Sequence, residues 1–164
     1  MARSKIKHFK GFSIVDSDIR VTLNMNRFER QFQRAQYQLD GAVMNSMVPF
    51  MPMVTGSLIN VTRAASAAVQ GSGEVYAAYG PQGRFLYEGK TMVDEKTGST
   101  WARRGAKKVL VSEFGGKTNA KPNLTYTKQA HPKAQSHWFD AAKAKDGRKW
   151  VKNVKRTAGG GQRG

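Results

Sequence analysis

The chain has 164 residues, with 28 Lys and Arg against 11 Asp and Glu, a formal net charge of +17, an apolar share of 39% and no cysteine. That length fits one domain with tails, and the apolar content argues against wholesale disorder. The missing cysteines exclude disulfides, zinc ribbons, cysteine nucleophiles and dithiol redox chemistry, and are in keeping with a reducing compartment.

Residues 1–18 read as an N-terminal arm with Gly11 as its clear breaker. The start is basic, but no long apolar run follows it, so no secretory signal is expected. Ile19–Asn24 alternates apolar and polar residues, the pattern of a short half-buried strand or of an extended lead-in. From Asn26 to Val48 the period changes. Phe28, Phe32, Ala35, Leu39, Ala42/Val43 and Met47 recur at spacings of three and four, which predicts a long amphipathic helix. Asn26 is placed to cap it, with Glu29 in capping-box register. Pro49 and Pro52 end it. The stretch 43–54 is the most apolar in the chain, yet it is interrupted by prolines and falls short of the roughly 20 residues a membrane span needs. Met44, Met47, Met51 and Met53 crowd this region; they suit either core filling or an adaptable contact surface.

Thr55-Gly-Ser-Leu58 is a turn, and Leu58–Val69 carries mixed helix and strand signals. Glu74–Tyr79 reads as a strand in a hairpin with what precedes it. Phe85, Leu86 and Tyr87 form a buried element that Gly89 ends. Residues 94–106 form a polar loop carrying Trp101. Lys107–Phe114 is a predicted strand, 115–123 a loop, and Leu124–Thr127 a last short strand. Trp138, Phe139, Ala142, Trp150, Val151 and Val154 predict a C-terminal amphipathic helix over 135–155, with Gly147 as a notch. The fold class is α+β: a long N-terminal helix and a C-terminal helix packed on a small antiparallel sheet. The organisation is an arm over 1–18, a single body over 19–156, and a flexible tail over 157–164.

Charge is uneven. Residues 1–101 hold 12 basic and 8 acidic groups, whereas 102–164 hold 16 and 3. Arg103, Arg104, Lys107, Lys108, Lys117 and Lys121, with Lys143 to Arg156, are candidates for contact with DNA or an acidic partner. Trp101 and Tyr126 are candidates for stacking on bases. No helix-turn-helix, zinc-finger or RNA-recognition signature accompanies them.

Catalytic groups are sparse. His131 and His137 are six apart with Asp140 near, but no third metal ligand has a recognised spacing. Gly89-Lys-Thr91 and Gly116-Lys-Thr118 lack the preceding glycine of a phosphate loop, since Arg84 and Val111 stand there. Asp16-x-Asp18 and Asp94-Glu95 are the close acidic pairs, and neither has a partner base in sequence. No Gly-x-Ser-x-Gly elbow is present. The expectation is a non-enzyme without cofactor or metal.

One stretch carries more. Tyr79-Gly-Pro-Gln-Gly-Arg-Phe-Leu-Tyr-Glu-Gly-Lys-Thr-Met-Val-Asp94, then Lys96-Thr-Gly-Ser99, resembles the second small minor capsid protein family of siphophages, encoded between portal and major tail genes. His131-Pro-Lys-Ala-Gln-Ser-His-Trp-Phe-Asp-Ala-Ala142 and Lys149-Trp-Val151 match a second block. The residues concerned are Tyr79, Phe85, Tyr87, Gly89, Met92, Val93 and Asp94, then His131, Pro132, His137, Trp138, Phe139, Ala142 and Trp150. The Pro-x-x-Thr-Gly-x-Leu turn (Pro52, Gly56, Leu58) resembles the wider tail-completion or neck-protein superfamily. Pro81-Gln-Gly83 departs from the family pattern.

The resemblance implies a structural subunit of the head-tail connector in the virion neck, assembled in the host cytoplasm. It implies a ring of six or twelve copies, six favoured, since a closed ring repeats one heterologous contact. The implied partners are copies of itself, a head-closure or adaptor ring, a tail-terminator ring, and DNA passing through the lumen without sequence readout, with no membrane. Met44, Met47, Met51, Met53 and Trp101 are the candidate interface. The rival reading is a sequence-independent nucleic-acid-binding protein; a third, a nuclease, lacks an acidic cluster.

Overall fold

The computed structural model describes residues 12–16 and 19–23 as backbone and residues 25–159 in full. The element order is β1 (Phe12–Asp16), β2 (Ile19–Leu23), α1 (Asn26–Met47), a 3-10 turn (Val48–Phe50), α2 (Ser57–Ala68), α3 (Gly83–Glu88), β3 (Met92–Asp94), β4 (Lys108–Leu110), a second 3-10 turn (Val111–Glu113) and α4 (Trp138–Ala158). The α+β class, with long first and last helices and antiparallel pairing, is the observed one. The pairing is divided between two ribbons, β1 with β2 and β3 with β4. The body expected over 19–156 is organised as two compact units: one of residues up to 46, 64–76 and 142 onward, the other of 47–63 and 77–141.

In the first unit, β1 and β2 pair from Phe12↔Leu23 to Asp16↔Ile19, so part of the expected arm is strand. Residues 1–11 lie outside the described residues. Helix α1 begins at Asn26 itself, so its cap is Met25, one residue earlier than expected: the Met25 carbonyl accepts from the Glu29 amide at 2.9 Å. Ala35, Met44, Ala142 and Trp150 are buried. The Trp150 indole donates to Ser46 Oγ at 3.2 Å, and Thr157 Oγ1 donates to Gln38 Oε1 at 2.8 Å, so α1 and α4 are tied at two points. Residues 157 and 158, expected in the tail, belong to α4, and Gly147 does not interrupt it.

Of the stripe predicted for α1, Ala35 and Met47 are buried while Phe28 is 48% exposed, and the buried residues also include Met44 and Asp40. Asp40 is held there by hydrogen bonds. Its Oδ2 accepts from the Gly71 amide at 2.7 Å and the Gly73 amide at 3.2 Å, and its Oδ1 from Gln36 Nε2 at 2.7 Å. A buried carboxylate is retained where donors replace its hydration, and two backbone amides do so here.

In the second unit, Met47, Phe50, Met51, Ile59, Val93, Ala134 and Trp138 are buried. β3 and β4 pair from Met92↔Leu110 to Asp94↔Lys108. The strand predicted over 107–114 is therefore three residues, after which a 3-10 turn takes over. Leu58–Ala68 resolves as helix.

Two predicted strands are absent. Over 74–79, side chains replace the strand partner. Tyr76 donates its amide to Ser66 Oγ at 3.1 Å, Tyr79 its amide to Thr62 Oγ1 at 3.1 Å, and the Ala77 carbonyl accepts from the Trp138 indole at 2.6 Å. With these backbone groups satisfied, no ladder is required. No strand forms over 124–127; one isolated bridge, Lys90↔Asn123, precedes the stretch.

Candidate functional site

The first of the blocks that carry the family resemblance and residues 131–141 of the second lie in the second unit, where Tyr87 joins them; Ala142 and Trp150 belong to the first unit. It lies on α3 in the first block, and its ring meets Trp138 edge-on at 4.9 Å and His137 at 5.1 Å, both from the second block. The Tyr87 carbonyl also accepts from the His137 amide at 2.9 Å. Edge-to-face aromatic contacts of this kind add to what burial alone contributes. Burial, and secondarily the Asp140 carboxylate, push the Tyr87 phenol above its ordinary pKa.

Gly89 ends α3 in the left-handed region (φ 72°). It also sits close to its neighbours: a Cβ there would stand 3.1 Å from both Ser136 Cβ and Tyr126 Oη. The Tyr126 hydroxyl donates to the Leu86 carbonyl, and burial raises its pKa. The hydroxyl is therefore a structural strut to α3. His137 is the one described non-glycine residue with positive φ, at 49°, and its carbonyl accepts the first amide bonds of α4 from Asp140 and Ala141.

Asp94 closes the first block. Its Oδ1 accepts from the amides of Thr97 at 3.0 Å and Lys96 at 2.8 Å, and these bonds hold the carboxyl below its usual pKa. The residue shapes a turn and carries no marks of a general base. The loop beyond is further set by Thr118, whose hydroxyl donates to the Gly98 carbonyl at 2.6 Å.

That loop presents Trp101 at 72% exposure, while its amide is held by Ser99 Oγ at 3.1 Å. Lys107 pairs with Glu95 at 3.6 Å, and Lys108 Nζ donates to the Thr100 carbonyl at 2.8 Å. Arg103, Arg104, Lys117 and Lys121 are exposed. Elsewhere in this unit, Pro52, Gly56 and Leu58 meet Tyr79 and Leu86 around an apolar groove of about 510 Å³, whose rim includes the 85% exposed Val54. The methionines sort differently from the expected interface. Met44, Met47 and Met51 are buried core, and Met53 is half-buried. The geometry therefore supplies an exposed aromatic and an apolar groove, not a methionine-lined contact surface.

His131 is engaged by the Met51 carbonyl at 2.8 Å through Nδ1, and His137 Nδ1 lies 3.9 Å from Asp140. Among the described residues no three His, Asp or Glu are grouped to hold a metal. Trp138 and Ala142 are buried, Phe139 is half-buried, and Pro132 opens the turn before Ala134. Sequence reading missed Asp40, Thr62 and Ser66, three buried polar groups that organise the backbone around them. The available signal was a charged or hydroxylated residue at an otherwise buried helical position.

No helix among the described residues is long and apolar enough to cross a membrane. No protein-family model, curated protein or solved structure matches the chain.

Proposed function

We propose that the protein is a non-catalytic structural subunit of a siphophage neck, forming a ring between the portal-side connector and the tail through which DNA passes. The observation that carries this reading is the two-block resemblance, from Tyr79 to Ser99 and from His131 to Trp150. Its support is that Tyr87 of the first block packs edge-on against His137 and Trp138 of the second. Further support comes from the exposed Trp101 and the apolar groove, because a ring needs two different complementary surfaces on each copy. An exposed tryptophan is the kind of residue that dominates such contacts.

The test is imaging of purified virions with symmetry imposed only late. Repeated copies between portal and tail tube are expected, six favoured. A chain missing from virions and recovered on intracellular DNA sinks the reading and promotes the sequence-independent nucleic-acid-binding one.

A further inference from the structure

We propose that the solvent face of α4 is a binding surface for the phosphate backbone of duplex DNA, and that it reads no sequence. At about 100° per residue, Lys145, Arg148, Lys149, Lys152, Lys155 and Arg156 fall within an arc of about 120°. No other residue between 145 and 156 shares that arc. All six are exposed, while Trp150 and Thr157 on the other side are buried. Lys149 pairs with the half-buried Asp146 at 3.5 Å. Among the described residues no ion pair engages Arg148, Lys152, Lys155 or Arg156. These four repeat at spacings of four and three and make one stripe about 12 Å long.

The composition of the face selects its partner. A protein interface is depleted of lysine at its centre and needs an apolar or aromatic anchor, and this arc contains none. A single strand needs aromatic platforms for its bases, which are also missing from the arc. A membrane-surface helix inserts its apolar side, but here Trp138, Ala142 and Trp150 of that side are buried, which leaves only Val151, at 55% exposure, as an exposed large apolar contact. What remains is a regular row of cations on a rigid rod, suited to a regular row of phosphates. The rod is fixed in place by the Trp150 and Thr157 hydrogen bonds to α1. The loop bearing Arg103 and Arg104 is the weaker candidate, because Lys107 and Lys108 beside them are already engaged.

The assignment rests on the connector reading only for the source of the DNA. The test uses the full chain and a random-sequence 30-base-pair duplex (roughly three helical turns), with affinity followed by fluorescence anisotropy against salt. Four phosphate contacts give a log–log slope of about −3.6, a loss of roughly 150-fold between about 50 and 200 mM salt. The variant Arg148→Ala/Lys152→Ala/Lys155→Ala/Arg156→Ala is expected to bring the slope close to zero. Alanine favours helix, so unchanged circular dichroism certifies the fold. The single Lys152→Ala, a milder change, is expected to reduce the slope by about 0.9. Arg103→Ala/Arg104→Ala is expected to leave it unchanged.

The proposal is overturned if the fourfold variant keeps the wild-type slope, if the Arg103/Arg104 variant abolishes it, or if poly-glutamate displaces the duplex at equal charge concentration. The last result assigns the face to an acidic protein. Loss of binding in the α4 variants together with absence of the chain from virions removes the connector reading and leaves this one standing. A virion ring whose α4 variants bind DNA normally does the reverse.

Discussion

Replacing Asp40 tests how the first unit is held together. Its carboxylate is 4% exposed and accepts two backbone amides, from Gly71 and Gly73, in the turn that follows α2. Gly71 is half-buried and in the left-handed region (φ 90°), so its amide has no easy alternative acceptor, whereas Gly73 is exposed and can turn to water. Bonds to a charged acceptor contribute about 1.5–3 kcal/mol each, and the lower end applies at the wetter site. Asp40→Ala is therefore expected to cost about 3 kcal/mol, a fall in Tm of roughly 6–12 °C for a chain of this size. Asp40→Asn keeps one oxygen for the glycines, and Gln36 can turn its amide to face the new NH2. It loses charge assistance only, about 1 kcal/mol. Thermal melts give the two losses, and hydrogen exchange at Gly71 and Gly73 localises them. Equal losses in the two variants, or unchanged exchange at the glycines in Asp40→Ala, would refute the reasoning.

Gly89→Ala forces a side chain into the left-handed region and against Ser136 and Tyr126; a loss of about 2 kcal/mol in urea titration is expected, and an unchanged midpoint counts against the packing described. Asp94 has a lowered folded pKa, so the unfolded chain takes up its proton first as pH falls. Its contribution is complete above the ordinary carboxylate range and is lost as pH drops through the folded pKa. Asp94→Asn is accordingly expected to flatten the acid limb of the stability–pH curve below about pH 4, measured by urea midpoint; an unaltered limb contradicts the turn assignment. Trp101→Ala is expected to change stability by no more than about 0.5 kcal/mol while abolishing ring reconstitution. A variant that still assembles removes Trp101 from the interface.

Periodicity was enough for the long helices because each carries a repeating apolar face over five or more turns. It located α4 through Trp138, Ala142 and Trp150, and α1 through Ala35 and Met47. It missed the burial of Asp40 because no hydropathy pattern announces that the amides of Gly71 and Gly73 will satisfy its carboxylate. The strand predicted at Glu74–Tyr79 has a sound β pattern. It failed because Ser66, Thr62 and Trp138 satisfy its backbone from the side, a tertiary effect invisible to local propensity. Of the site, the charged and aromatic residues were legible by type. The junction of the two motif blocks at Tyr87 was not, because it depends on contacts fifty residues apart. The methionine cluster fitted core and surface equally well in sequence, and only burial separated them.

That burial makes the sulfur chemistry of the chain a clock. With no cysteine to intercept an oxidant, the thioethers are the oxidisable sulfurs. Met53 and Met92 are partly open to solvent, whereas Met47 and Met51 have no exposed surface and Met44 has 5%. Mild peroxide should therefore convert the first pair to sulfoxide at once and reach the others only through opening of the surrounding structure. The order in which sulfoxides accumulate, read by peptide mass, reports how often each part of the molecule breathes without any label or mutation. A polar sulfoxide formed at Met47 or Met51 cannot be repacked, so each slow event is also a step toward unfolding.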